Sequence, residues 1–134
     1  MPDGPVRKEL AEGKSVVLED GRTVDPDDVL GPPERRKKLV VVGDAETTDG
    51  LAEYIGDADL LVIEATFLAR DEAIARDYGH LTAAQAAALA ATSDVKLLVL
   101  THISGRYGDE EILAEARRTF PNSRLAADFD RIVI

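Results

Sequence analysis

From Leu39 onward, short aliphatic blocks alternate with longer mixed stretches. Leu39 to Val42, Leu60 to Ile63 and Leu97 to Leu100 are apolar runs too short for buried helices, and each predicts a strand. Helix signals lie between them. Thr48 is placed to cap a helix through Ile55, with Gly56 as its stop. A second helix is expected over Leu68 to Arg76. Thr82, with Gln85 three residues later, is a capping-box signature that opens an Ala-rich helix through Ala91. Asp109 opens a fourth helix, with Glu110 and Glu111 in its first turn and Arg117 and Arg118 near its end. That charge order suits the helix dipole. Arg124 to Ala127 and Arg131 to Ile134 predict closing strands. Strands alternating with helices at this spacing imply βα units and a sheet that is at least partly parallel. The Ala-rich helix has almost no polar face, so it is expected to lie buried between the sheet and a second layer. A partner subunit is one candidate for that layer.

The first 37 residues are patterned differently. Ser15 to Leu18 and Arg22 to Val24 are short β-type runs joined by Glu19-Asp20-Gly21, a hairpin signal. Asp25-Pro26-Asp27-Asp28 predicts a turn or a single helical turn, with Pro near its start. Gly31-Pro32-Pro33 and the charged residues 34–38 read as an exposed connector. The expected organisation is therefore a hairpin and connector over 1–37 and a βα-repeat portion over 38–134.

Composition narrows the class. A chain of 134 residues with 45% hydrophobic content can bury a core. With 4% aromatics and no Trp, that core must be built of Ala, Val, Leu and Ile. The absence of cysteine excludes a disulfide framework and a thiolate zinc site. No apolar run approaches the ~20 residues of a membrane span, and the start is not signal-like. A soluble cytoplasmic chain is expected. The formal charge of −10 repels nucleic acid at long range. An ordinary acidic domain and a salt-adapted one, in which screening cuts that repulsion to about 3 Å at molar salt, account for it equally well.

Each of the three apolar strands leads directly to a residue that can do chemistry: Asp44, Glu64 and His102. In open α/β sheets, ligands bind outside the carboxyl ends of the strands, so the three are expected to gather along one edge. His80, in a turn just before a helix cap, can reach the same edge. Asp and His suit Zn²⁺ or Mn²⁺, and a carboxylate can bridge two ions. Such a pair would stabilise the attacking and leaving oxygens of a phosphodiester. Glu64 and His80 would form an oriented acid/base pair. Ser104, Arg106 and Tyr107, on the loop after His102, would clamp a phosphate. Each residue also has a plainer reading: Asp44 as a turn residue, Glu64 as a hydrogen-bonded buried carboxyl, His80 as a capping histidine, His102 as a non-ligand, and Arg106-Tyr107 as a loop pair packed on a helix.

Four segments carry a family resemblance. Val42-Gly43-Asp44 resembles a Gly-Asp-Thr segment, Ile63-Glu64-Ala65-Thr66 a His-Glu-Ala-Thr motif, and Gly79-His80-Leu81-Thr82 a Gly-His-Ser-Thr motif. Leu100 through Tyr107 resembles Leu-Thr-His-Phe-Ser-x-Arg-Tyr. Flanking stretches agree as well, from Gly4-Pro5 to Gly31-Pro32-Pro33, at Phe120-Pro121-Asn122, and at Leu125 to Phe129. In this order the segments resemble the C-terminal half of the tRNase Z (ribonuclease Z) branch of the metallo-β-lactamase superfamily.

The resemblance implies an α/β fold: half of an αβ/βα sandwich, a mixed sheet with flanking helices. It implies an endoribonuclease that removes the 3′ trailer of tRNA precursors at a two-zinc site. Asp44 and His102 are then metal ligands, Glu64 and His80 the proton-transfer pair, and Ser104, Arg106 and Tyr107 the phosphate contacts. Ala45, Ile63 and Leu81 depart from the motifs at supporting positions, where changes commonly cost ~10–100-fold in metal affinity or activity. The family's His-x-His-x-Asp-His cluster does not occur in this chain, whose histidines are His80 and His102 alone. The metal site is therefore expected to be incomplete and the chain inactive by itself. A homodimer or a complex with an N-terminal half is expected, with tRNA precursor as the partner RNA and no membrane. The alternatives are a non-catalytic, self-associating remnant of this fold and a different hydrolase of the superfamily.

Overall fold

A computed structural model describes residues 5–32 and 34–134. Gly4 and Pro33, two of the flanking residues named above, lie outside the described residues. The chain divides into two compact units, one comprising the described residues up to Arg36 and the other Lys37–Ile134.

The first unit contains helix α1 (Pro5–Ala11), the two-stranded antiparallel hairpin β1 (Val16–Val17) and β2 (Thr23–Val24), and helix α2 (Pro26–Val29). Gly21 takes φ 83° at the hairpin turn, the left-handed conformation that the Asp-Gly signal supplies. Pro26 opens α2 at its first position, where a missing N–H costs nothing. Helix α1 was not expected. It buries only Leu10, so it leaves no apolar periodicity to read.

The second unit is a four-stranded sheet with spatial order β3 (Leu39–Val41), β4 (Leu60–Glu64), β5 (Leu97–Thr101) and β6 (Ser123–Leu125). All neighbouring strands run parallel, and among the described residues the antiparallel pairing expected of a mixed sheet occurs only in the β1–β2 hairpin. Sequential parallel strands require crossovers, which are almost always right-handed and so place the connecting helices on one face. The crossovers contain helices α3 (Ala52–Ile55), α4 (Glu72–Asp77), α5 (Ala83–Thr92) and α6 (Asp109–Thr119). Their apolar faces meet Leu61, Ile63, Leu98 and Leu100 in a single core.

The Ala-rich helix α5 carries the capping box read from the sequence. The Gln85 backbone N–H donates to Thr82 Oγ1 at 3.2 Å, and Gln85 Oε1 accepts from the Thr82 N–H at 2.9 Å. Its buried face, Ala83, Ala86, Ala87, Leu89 and Ala90, lies against β4, β5, α3 and α6. The covering layer thus belongs to this chain, and α5 needs no partner subunit to be buried. Methyl side chains let the helix backbone approach both the sheet and α6. Glu115 on α6 accepts the backbone N–H groups of Ala69 and Ala84, which fixes the segment after β4 relative to the start of α5.

Three expectations are corrected. The helix from Thr48 is confined to Ala52–Ile55, because Gly50 at φ 74° breaks the path. The helix expected over Leu68 to Arg76 is a 3₁₀ turn at Ala69–Asp71 followed by α4. Arg131 to Ile134 forms no strand. After Ala126 donates its N–H to the Leu100 carbonyl, an Ala127–Asp130 turn with Phe129 at φ 67° carries the chain out of line with the sheet.

Candidate functional site

The strand register brings the expected residues to one edge. Val41 pairs with Val62, and Glu64 with Thr101. Asp44 therefore leaves the sheet just beyond β3, Glu64 ends β4, and His102 follows β5 at the same level. His102 takes φ 54°, a sparsely populated conformation for a residue with a Cβ, of the kind that gathers at functional sites. It turns the ring back over the ends of the strands.

Glu64 is the buried centre of this edge, with 1% of its side chain exposed. Its Oε1 accepts the backbone N–H of Ala45. Its Oε2 accepts from Thr66 Oγ1 at 2.6 Å, from His80 Nδ1 at 3.0 Å and from the Leu81 N–H at 3.2 Å. Two of the three departures from the motif pattern, Ala45 and Leu81, thus contact Glu64 through the backbone, which any side chain would supply. The third, Ile63, is fully buried in the core.

The network also sets the histidine tautomers. Both Glu64 oxygens accept backbone N–H donors, so the single Thr66 hydroxyl hydrogen goes to Glu64. Thr66 Oγ1 then accepts from His102 Nδ1, 3.1 Å away. His102 Nδ1 is also 3.4 Å from Asp44 Oδ1, and the two imidazole rings lie 5.0 Å apart between centroids. With each Nδ1 engaged in this way, the Nε2 atom of each ring is left to act as an acceptor or ligand. Asp44, His80 and His102 each present a ligand atom, all within 4.8 Å of one another. Two imidazoles and a carboxylate suit one borderline cation such as zinc. The donors fit one ion and leave a second without enough ligands.

Of the three residues expected to clamp phosphate, Ser104 and Arg106 line the cleft beside His80 and His102. Tyr107 does not join them. It is 7% exposed, and its hydroxyl donates to Asp71. Arg70 lies over the Tyr107 ring at 5.4 Å. The ring therefore ties the loop that carries Ser104 and Arg106 to the segment after β4.

Burial, and then the bond to Asp71, raise the Tyr107 phenol above its ordinary value of 10.0. A raised acid contributes stability that is complete below the unfolded value and is lost as pH rises through the folded one. Tyr107→Phe is expected to cost ~1 kcal/mol near neutral pH through the lost hydrogen bond. Its deficit relative to the parent chain should shrink above about pH 10. Urea midpoints of both chains across that range check this, and a deficit that does not change with pH would refute it.

Sequence reasoning did not single out Thr66 or Asp71. The signal for Thr66 was present, since period-two alternation at the end of a strand puts Glu64 and Thr66 on one side. Nothing local to Asp71 pointed to Tyr107, 36 residues away.

Residues 18–103 match the family model for the β-lactamase superfamily domain. The chain belongs to the β-lactamase superfamily. It is 71% identical to ribonuclease Z of Bradyrhizobium diazoefficiens over 134 residues, all of this chain and 44% of that protein. Against ribonuclease Z of Geobacillus kaustophilus it is 43% identical, over 94% of this chain and 42% of that one. The chain thus spans less than half the length of the curated relatives it matches. Among solved structures, human tRNase Z, short form, superposes with a TM-score of 0.59 at 31% identity, covering 84% of this chain and 36% of that one. The metallo-β-lactamase fold protein YhfI from Bacillus subtilis gives a TM-score of 0.61 at 25% identity, covering 66% and 36%. The superfamily fold and the likeness to part of a tRNase Z, both expected from the motifs, are met. A fold of this family goes with metal use, and the Asp44, His80 and His102 group supplies candidate ligands. No helix of the described residues is long and apolar enough to cross a membrane.

Proposed function

We propose that this chain carries the proton-transfer and phosphate-binding part of a cytoplasmic endoribonuclease that removes the 3′ trailer of tRNA precursors. It would act with an N-terminal portion that supplies the remaining metal ligands. The observation that carries this reading is the convergence of Asp44, His80 and His102 within 4.8 Å, with Glu64 buried behind His80.

Zinc at Asp44 and His102 would, when bound, polarise the phosphodiester and activate water. The other roles belong to side chains of this chain. Glu64 holds the Nδ1–H of His80, so His80 Nε2 faces the site and can deliver a proton to the leaving ribose oxygen. Ser104 and Arg106 hold the phosphate in line, with the guanidinium supplying local positive charge in a chain that is acidic overall. Tyr107 fixes their loop.

An incomplete ligand set makes the chain inactive alone. Leu39 and Val41, 55% and 66% exposed on the edge strand β3, support an apolar cover from an N-terminal portion or from a second copy.

Mixing this chain with the N-terminal portion of a ribonuclease Z should produce zinc-dependent cleavage of a tRNA precursor, which this chain alone should lack. No gain on mixing would overturn the split-enzyme reading. In that case, sedimentation as a dimer would favour the self-associating, non-catalytic one.

A further inference from the structure

The cleft beside His80 and His102 is lined by two unlike sets of residues. Thr66, Ser104 and Arg106 are polar, while Phe67, Ile74, Tyr78 and Ile103 are apolar or aromatic. A phosphate alone would use only the polar set. At about 300 Å³ the cleft is at the small end of ligand pockets, with room for roughly one nucleotide.

Phe67 is the buried floor, with the Arg106 guanidinium over its ring at 5.8 Å and the His80 ring tilted against it at 6.2 Å. Tyr78 differs. It is 73% exposed, and among the described residues its side chain makes no hydrogen bond or ring contact. Its backbone is nonetheless held. The Tyr78 N–H bonds the Ile74 carbonyl at the end of α4. Gly79, at φ 71°, then turns the chain so that His80 enters the site. An unpartnered aromatic ring two residues from His80, lining the same cleft as a guanidinium, is what a base needs when its phosphate lies at Arg106.

On the reading of the site given above, we infer that Tyr78 is a stacking platform for the base of the nucleotide next to the scissile phosphate. Stacking on an aromatic face tolerates any base, because every base has a π-face. Tyr78 therefore sets affinity for single-stranded RNA without reading its sequence.

The test uses NMR of this chain with two probes, a single-stranded RNA trinucleotide and the base-free ribose 5-phosphate. The trinucleotide should shift the Tyr78 ring protons upfield, and ribose 5-phosphate should not. Tyr78→Ala should weaken trinucleotide binding roughly 5- to 150-fold, the range of a single base–aromatic stack. Tyr78→Phe should stay near the parent value, and so should Tyr54→Ala, a control at another exposed ring. If both probes perturb the Ser104 and Arg106 amides while the Tyr78 ring is unmoved, stacking is wrong and the phosphate site stands. If neither probe perturbs any of the three, the inference and the reading it rests on both fall.

Discussion

With the complementing N-terminal portion present, His102→Ala is expected to lower bound metal and tRNA-precursor cleavage together. His80→Ala is expected to lower cleavage while leaving metal in place. The two rings are only 5.0 Å apart, so the contrast comes from their partners. His102 is held through Thr66 and lies beside Asp44, which would share its ion. Losing a residue that merely supports a ligand costs ~10–100-fold in metal affinity. Losing His102 itself should reach at least the top of that range. His80 is bonded directly to Glu64, the arrangement that orients a proton carrier, and proton transfer by a positioned side chain contributes ~10²–10⁴-fold to rate. Elemental analysis and single-turnover cleavage on the same samples separate the two effects. The donor geometry also admits His80 as a third ligand, since one of its ring nitrogens lies within 4.8 Å of the ligand atoms of Asp44 and His102. If His80→Ala strips the metal as completely as His102→Ala does, His80 is a ligand and the proton must come from elsewhere.

The edge that holds this site was legible because its signals are local. Apolar runs of strand length ended at Asp44, Glu64 and His102, and parallel strands can only gather such residues at one rim. Thr82 and Gln85 announced the start of α5 through side-chain oxygens that satisfy its first N–H groups. What stayed hidden depends on backbone direction or distant partners. The φ of 54° at His102 is a property of the turn that the tertiary structure imposes, and residue type does not encode it. Tyr107 sits beside Arg106 in sequence but faces Asp71 because of how its loop folds back. The same holds for α5. Its uniform apolarity implied burial but not what buries it, and α6, the next helix along the chain, does so together with the sheet and α3. Gly50 lay inside the helix expected from Thr48, yet its φ of 74° removes the first part of that helix and leaves Ala52–Ile55.

Glu64→Gln should be the most destabilising conservative change at this edge, whether or not the chain is catalytic. The side chain is almost wholly buried and receives the Ala45 and Leu81 N–H groups, the Thr66 hydroxyl and His80 Nδ1. Every partner is a donor, and a carboxyl group meets them all with its two oxygens. Glutamine offers one oxygen and an NH₂. If its oxygen replaces Oε2, the NH₂ points at the Ala45 N–H. If it is flipped, the NH₂ faces three donors. Thr66 can rotate and His80 can change tautomer, but the backbone N–H groups cannot, so at least one donor is orphaned in either orientation. Each orphaned donor costs ~1–3 kcal/mol, a large share of the ~5–15 kcal/mol that holds a domain together. A lower urea midpoint with an unchanged slope would report this loss. Glu46→Gln, at an exposed neighbour, should stay within ~0.5 kcal/mol of the parent chain. If Glu64→Gln unfolds at the parent midpoint, the donors around Glu64 have other acceptors. The carboxyl would then not be what orients His80, and the proton-transfer pair would lose its physical basis.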